Sequence, residues 1–187
     1  MLALAGAMRE GRLPGVEIAL VVSDHADAAG LQRAREIGLK TAVVERAGRT
    51  REAHDRAIVA ELQTHQVEIV CLAGYMRLLS KYFIDTYRNR ILNIHPSLLP
   101  AFPGLDAHRQ VIEHGVKWTG CTVHFVDESL DGGPIIGQRV VPVLDDDTEE
   151  TLAARILEQE HELYAEALAL VVSGRYEIHG RRVIRKS

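Results

Sequence analysis

Apolar residues fall into short runs separated by stretches of helical period. Val16–Ser23, Thr41–Glu45 and Val67–Ala73 read as strands, with helices through Leu31–Ile37 and from Thr50 to about Gln63 between them. This alternation predicts βαβ units, an α/β class and a mostly parallel sheet. Ile69-Val70-Cys71-Leu72-Ala73 is apolar throughout, as expected of a strand covered by helices on both faces. Gly38 stands where a helix would end on a left-handed residue, and Thr50 and Ser80 stand where helices would be N-capped.

After Ala73 the pattern changes. A short helix over Ser80–Tyr87 leads into strand Ile91–Ile94 and a rigid, proline-rich loop, His95-Pro96-Ser97-Leu98-Leu99-Pro100. A helix over Ala107–His114, strand Thr119–Val126, loop Asp127–Gly133 and strand Pro134–Val143 follow. A long helix over Thr148–Val172 opens with acidic residues that complement its dipole. Arg175–Lys186 reads as a hairpin turning at His179-Gly180, although Val183 and Ile184 are adjacent and break the alternation. Its basic residues Arg181, Arg182, Arg185 and Lys186 read as a solvated edge rather than an RNA site. Met1–Glu10 reads as helix, with no strand before it.

With 187 residues and 47% hydrophobic content, the chain is expected to form a single domain over 1–187, since one core serves up to about 250 residues. A net charge of −4 and a pI near 6.1 argue against a protein that coats nucleic acid or an anionic membrane, because both need a basic face. Cys71 and Cys121 lie inside apolar strand runs and read as reduced thiols. No apolar run approaches the roughly 18 residues of a membrane span, and no signal sequence is evident, so a cytoplasmic location is expected.

Asn93 and His95 are separated by one residue at the end of a strand, which turns both side chains to one face beyond its carboxyl end, where α/β sheets bind ligands. Asp131 lies before Gly132-Gly133-Pro134, a turn that lets backbone approach a ligand closely. A carboxylate there would stabilise a protonated His95, and the Asn93 amide would donate to an oxyanion, which together supply acyl-transfer chemistry. Taken singly, each also reads as structural: a strand-ending asparagine, a satisfied loop histidine and a turn aspartate. His95, His124 and Asp131 also make a candidate two-histidine, one-carboxylate metal set, though without close ligand spacing.

Asn93–Pro100, Phe102-Pro103-Gly104, Gly120-Cys121-Thr122-Val123-His124-Phe125-Val126 and Leu130–Pro134 together resemble the phosphoribosylglycinamide formyltransferase family, and the resemblance runs from about Val16 to Val172. It implies a Rossmann-like formyltransferase fold, a mostly parallel sheet with antiparallel C-terminal strands. It further implies transfer of the formyl group of 10-formyltetrahydrofolate to the amine of glycinamide ribonucleotide in de novo purine biosynthesis, with no metal. The family's catalytic residues map onto Asn93, His95 and Asp131, with His124 supporting. Its folate contacts map onto Arg51, Met76, Arg77, Leu78, Leu79, Asn93, Asp127 and Asp131, although Met76, Leu78 and Leu79 alone would read as core. Pro96 and Glu160 map to the acceptor side. Expected partners are these small molecules, with no nucleic acid and no membrane, in a monomer or homodimer. A formyltetrahydrofolate hydrolase shares the fold and the trio; Pro96 and the lack of an N-terminal regulatory domain favour the transferase.

The start of the chain departs from the family, whose members open with a strand and a glycine-rich phosphate-binding loop. Met1-Leu2-Ala3-Leu4 corresponds to the helix after that loop. The expectation is of a truncated or misstarted chain, or of impaired acceptor binding, with a non-catalytic folate-binding remnant as a further alternative.

Overall fold

The computed structural model describes residues 1–186, and the chain forms two compact units. Met1–Val70 with Arg77–Ile91 makes the first, and Cys71–Met76 with the chain from Leu92 onward makes the second.

In the first unit, helix α1 (Leu2–Arg9) precedes strand β1 (Val21–Ser23), helix α2 (Ala29–Glu36), strand β2 (Thr41–Val43), helix α3 (Arg51–Thr64) and helix α4 (Lys81–Thr86). β1 and β2 pair in parallel, Val21 opposite Thr41, with α2 as the crossover. The paired strands are shorter than the apolar runs that announce them, because a ladder extends only where a neighbour lies alongside. Val16–Leu20 therefore falls outside β1, and Val44 and Glu45 fall outside β2. Helix ends follow the local chemistry. The Thr50 hydroxyl accepts from Ala53 N at 3.2 Å and that of Ser80 from Phe83 N at 3.4 Å, while Gly38 follows α2 at φ +77°. α3 buries Ile58, Val59 and Leu62, and with them the polar pair His54 and Asp55.

Strand β3 (Val70–Cys71) leads into the second unit, which holds β4 (Ile91–His95) from Leu92, α5 (Ala107–Glu113), β5 (Trp118–Phe125), β6 (Ile135–Pro142), α6 (Glu149–Ser173), β7 (Tyr176–His179) and β8 (Arg182–Arg185). The strand order is β3-β4-β5-β6-β8-β7. Val70 N donates to Arg90 O and Leu72 N to Leu92 O, the sense of a parallel pair. β4, β5 and β6 are antiparallel neighbours, and β6 pairs with β8 in parallel. The fold is thus a mixed sheet with parallel strands and an antiparallel C-terminal part. β3 is two residues long where seven were expected, again limited by pairing.

α6 packs on β5 and β6. Gly137 permits this approach, since a Cβ there would stand 3.0 Å from Leu163 Cδ1. A capping box between Thr148 and Thr151 starts α6, and the Tyr164 hydroxyl is shared between Leu72 O at 2.8 Å and Leu92 O at 3.0 Å. The terminal hairpin places Ile178 opposite Val183 and leaves Ile184 largely exposed, which accounts for the adjacent apolar pair. Tyr176 stacks on Phe125 with ring centroids 5.8 Å apart.

Candidate active site

β4 and β5 set Asn93 directly opposite His124 and His95 opposite Thr122. Two residues from each strand, spaced by one, therefore make a polar patch on one face of the sheet. Thr122 is fully buried and ties this patch to the following loop. Its hydroxyl donates to Ser97 O at 2.7 Å and accepts from Leu99 N and from Gln138 Nε2, both at 3.0 Å. Gln138 Nε2 also donates to Leu99 O at 2.9 Å. The loop after His95 is thus held to β5 and β6 by buried hydrogen bonds.

His95 is buried, and its Nε2 lies 2.8 Å from Phe102 O. A carbonyl only accepts, so Nε2 carries the proton and donates, and Nδ1 is the nitrogen left for chemistry. Nδ1 stands 3.5 Å from Asp131 Oδ2. Phe102 has φ +51°, a left-handed backbone that a bulky residue rarely adopts. The conformation is maintained by the His95 contact and by the Ser97 hydroxyl, which lies 2.5 Å from Ala101 O and 3.2 Å from Phe102 O. Such local strain costs on the order of 1–3 kcal/mol and persists where the surroundings over-determine it.

Asp131 reaches the patch from the loop between β5 and β6. Its φ is +48°, tolerated by aspartate. Gly133 is required here, since a Cβ on it would collide with Phe125 O. Gly104 N donates to Asp131 Oδ2 at 2.8 Å, so the carboxylate also anchors the loop after β4. Asp131 Oδ1 lies 3.7 Å from His124 Nε2.

Burial holds the His124 imidazole below its ordinary pKa, so the ring is neutral. Its Nδ1 donates to Phe125 O at 2.9 Å, and Nε2 therefore accepts, taking a hydrogen bond from Asn93 Nδ2 at 3.3 Å. That bond fixes the amide of Asn93 and leaves its second N–H to address a ligand. The arrangement offers one amide donor, one imidazole nitrogen and one carboxylate around a common point, a set suited to a tetrahedral, oxyanionic intermediate.

The second unit thus brings Asn93, His95, His124 and Asp131 together. Pro96 follows His95 directly and is half-buried, and Asp127 accepts from Ser129 N at 2.8 Å within its own turn. Glu160 lies on α6, half-buried, with its carboxyl pushed up to about 6 by burial. Its charge also raises Cys121, whose thiol burial pushes up to about 12. Both cysteines are free. Met76 is 74% exposed and Leu78 52%, against 7% for Leu79, so only Leu79 behaves as core. Arg51 is exposed at the first position of α3 in the first unit, where Arg77, Leu78 and Leu79 also lie. Of the supporting residues, Thr122, Ser97 and Phe102 lie within the sequence motifs but carry no assigned role there, and Gln138 lies outside those motifs.

For the metal alternative, among the described residues no group of three or more His, Cys, Asp or Glu is arranged to hold an ion.

The chain is 43% identical to phosphoribosylglycinamide formyltransferase of Escherichia coli (strain K12) over 178 residues, which is 95% of this chain and 84% of that protein. The crystal structure of glycinamide ribonucleotide transformylase 1 from Symbiobacterium toebii superposes with a TM-score of 0.96 at 53% identity, covering 99% of this chain and 87% of that one. A formyltetrahydrofolate deformylase from Pseudomonas syringae pv. tomato is more distant, at 28% identity and a TM-score of 0.89, with all of this chain and 61% of that chain covered. With residues 2–168 matching the formyl transferase family in addition, the chain belongs to that family.

Proposed function

We propose that the protein transfers the formyl group of 10-formyltetrahydrofolate to the amine of glycinamide ribonucleotide, a step of de novo purine biosynthesis. The observation that carries this reading is the convergence of Asn93, His95 and Asp131, with His95 Nδ1 facing the carboxylate at 3.5 Å. The acceptor amine attacks the formyl carbon, forming a C–N bond and an oxyanion. Asn93 donates its free N–H to that oxygen, and His95 donates from Nδ1 when protonated, beside the negative Asp131. The bond from the formyl carbon to N10 of the folate then breaks. The proton lost by the amine passes to N10, with Asp131 placed to accept and return it. Neither a nucleophilic side chain nor a covalent enzyme intermediate is needed.

On the same reading, formylfolate is held by Arg51, Met76, Arg77, Leu78, Leu79, Asn93, Asp127 and Asp131. The exposure of Met76 and Leu78 supports this, because an apolar side chain offered to solvent can pack on a flat heterocycle. Pro96 and Glu160 serve the acceptor, and His124 holds Asn93. The chain acts as one formyltransferase domain in the cytoplasm, as a monomer or homodimer, without nucleic-acid or membrane partners. No helix among the described residues is long and apolar enough to cross a membrane.

The experiment is to supply 10-formyltetrahydrofolate with and without glycinamide ribonucleotide and to measure formylated acceptor and released formate. Acceptor-dependent product is expected. Formate release at the same rate without acceptor would replace this reading by the hydrolase, and folate binding without turnover would leave a binding protein.

A further inference from the structure

His54 and Asp55, neighbours on α3, are both fully buried, which is unusual for two consecutive ionisable side chains. Each holds a different point of one short stretch. Asp55 Oδ2 accepts from Ser80 N at 2.6 Å, at the start of α4. His54 Nδ1 lies 3.4 Å from Arg77 Nη1. Arg77 is only 20% exposed, and its Nη1 is also 3.7 Å from Asp24 Oδ2, so its side chain is turned inward as a tether. Leu78, between the two anchors, is left exposed.

The state of His54 follows from its partners. Nε2 lies 2.7 Å from Val44 O, which only accepts, so Nε2 carries a proton. Arg77 only donates, so Nδ1 must be unprotonated to receive it. The bond to Arg77 thus requires the neutral ring. A proton on Nδ1 would oppose Arg77 and would find Asp55 Oδ1 at 3.9 Å, a buried oxygen that accepts no hydrogen bond among the described residues. Among the described residues, the charged groups around the ring are Asp55 on its own helix and Arg77, with Asp24 beyond Arg77; Val44, just past β2, presents its carbonyl.

We propose that His54 and Asp55 are positioning residues that clamp Arg77–Ser80 for formylfolate binding, and that His54 does so only as the neutral Nε2–H tautomer. Protonation transfers Nδ1 from Arg77 to Asp55 Oδ1 and frees Arg77, leaving Ser80 anchored. The first part rests on the folate reading given above; the tautomer does not.

His54→Gln separates the two, since its amide can donate to Val44 O and accept from Arg77 but takes up no proton in this range. Formylfolate KM and kcat are measured from about pH 8 to about pH 5, the range in which histidine titrates. For the wild type KM is expected to rise about tenfold towards low pH, the order expected for one charge-assisted hydrogen bond, with kcat following the same profile as in the variant. His54→Gln is expected to match the wild-type KM at high pH and to lose this rise. Asp55→Asn keeps an oxygen for Ser80 N but directs an amide N–H at His54 Nδ1, and is expected to raise KM at every pH. A matching Tm would show that each variant is folded. Separately, nitrogen-15 NMR of the histidine rings in the unliganded protein is expected to show His54 as Nε2–H. A wild-type and His54→Gln KM profile that coincide, or an Nδ1–H ring, would overturn the proposal. If the wild type bound no formylfolate, the functional reading and the clamp's purpose would fall together, while the NMR result would still decide the tautomer.

Discussion

Replacing Thr122 with valine tests how the loop after His95 is held. Valine matches threonine in shape, so the perturbation removes one hydroxyl and little volume. In the folded protein that hydroxyl satisfies Ser97 O, Leu99 N and Gln138 Nε2, and the residue is fully buried. Leaving a buried polar group unpaired costs about 1–3 kcal/mol. Gln138 retains Leu99 O as a partner, so the lower end applies, and three groups give a loss of about 3 kcal/mol. For a chain of this size each kcal/mol moves the melting point by about 2–4 °C, so thermal unfolding should begin roughly 6–12 °C lower. Two of the three bonds go to the loop that begins at Pro96, so turnover should fall as well, by up to about a hundredfold if the loop shifts by as much as 1 Å. Differential scanning calorimetry and steady-state kinetics measure the two effects, with Thr122→Ser as the control that keeps the hydroxyl. A valine variant that melts with the wild type and turns over at its rate would refute the claim that this hydroxyl holds the loop.

His95→Ala should lower kcat by about a hundredfold or more while changing formylfolate affinity little, and Asn93→Ala should lower kcat nearly as far, measured by kinetics alongside equilibrium binding. Asp131→Asn keeps an acceptor for Gly104 N but removes the negative charge beside His95, so a protonated ring loses its counter-charge and kcat at neutral pH should fall, measured by steady-state kinetics. Asp147, whose side chain is 3% exposed, is held well below the usual carboxylate range by Arg155. Its stabilisation is therefore complete above the unfolded value and is lost as pH falls through the lower folded one. The Tm gap between wild type and Asp147→Asn should accordingly be present at pH 7 and close in strong acid. Glu160 shows the opposite sign. Burial raises its carboxyl from 4.5 to about 6, so ionisation opposes folding as pH rises through that interval. Glu160→Gln should be more stable than wild type to urea at pH 7, and equal to it below the unfolded value.

The parts of this architecture that depend on local pattern are legible in the sequence. The βαβ start, the N-caps at Thr50 and Ser80 and the long α6 follow from periodicity and capping chemistry, and the shared face of Asn93 and His95 follows from alternation. The strand lengths were not readable, because a ladder is a property of two chains and the apolar run of only one. Spacing alone likewise leaves open what Asp131 meets, since 36 residues separate it from His95. Leu79 and Leu78 are adjacent leucines of opposite fate, one in the core and one exposed. His54 and Asp55 would pass for ordinary solvent-facing helix residues. Their burial depends on Val44 and Ser80, partners 10 and 25 residues away respectively.

The shared hydroxyl of Tyr164 has a mechanical consequence. It grips Leu92 O, the carbonyl of the peptide that leads directly into Asn93. Glu160 sits four residues earlier on the same continuous helix, about 6 Å along its axis. α6 therefore acts as a fixed ruler between a carboxylate and the amide-bearing strand. Sliding or turning the helix would drag the strand with it. On the proposed reading, in which Glu160 serves the acceptor, a change of acceptor size is better sought by exchanging side chains on the ruler than by moving it.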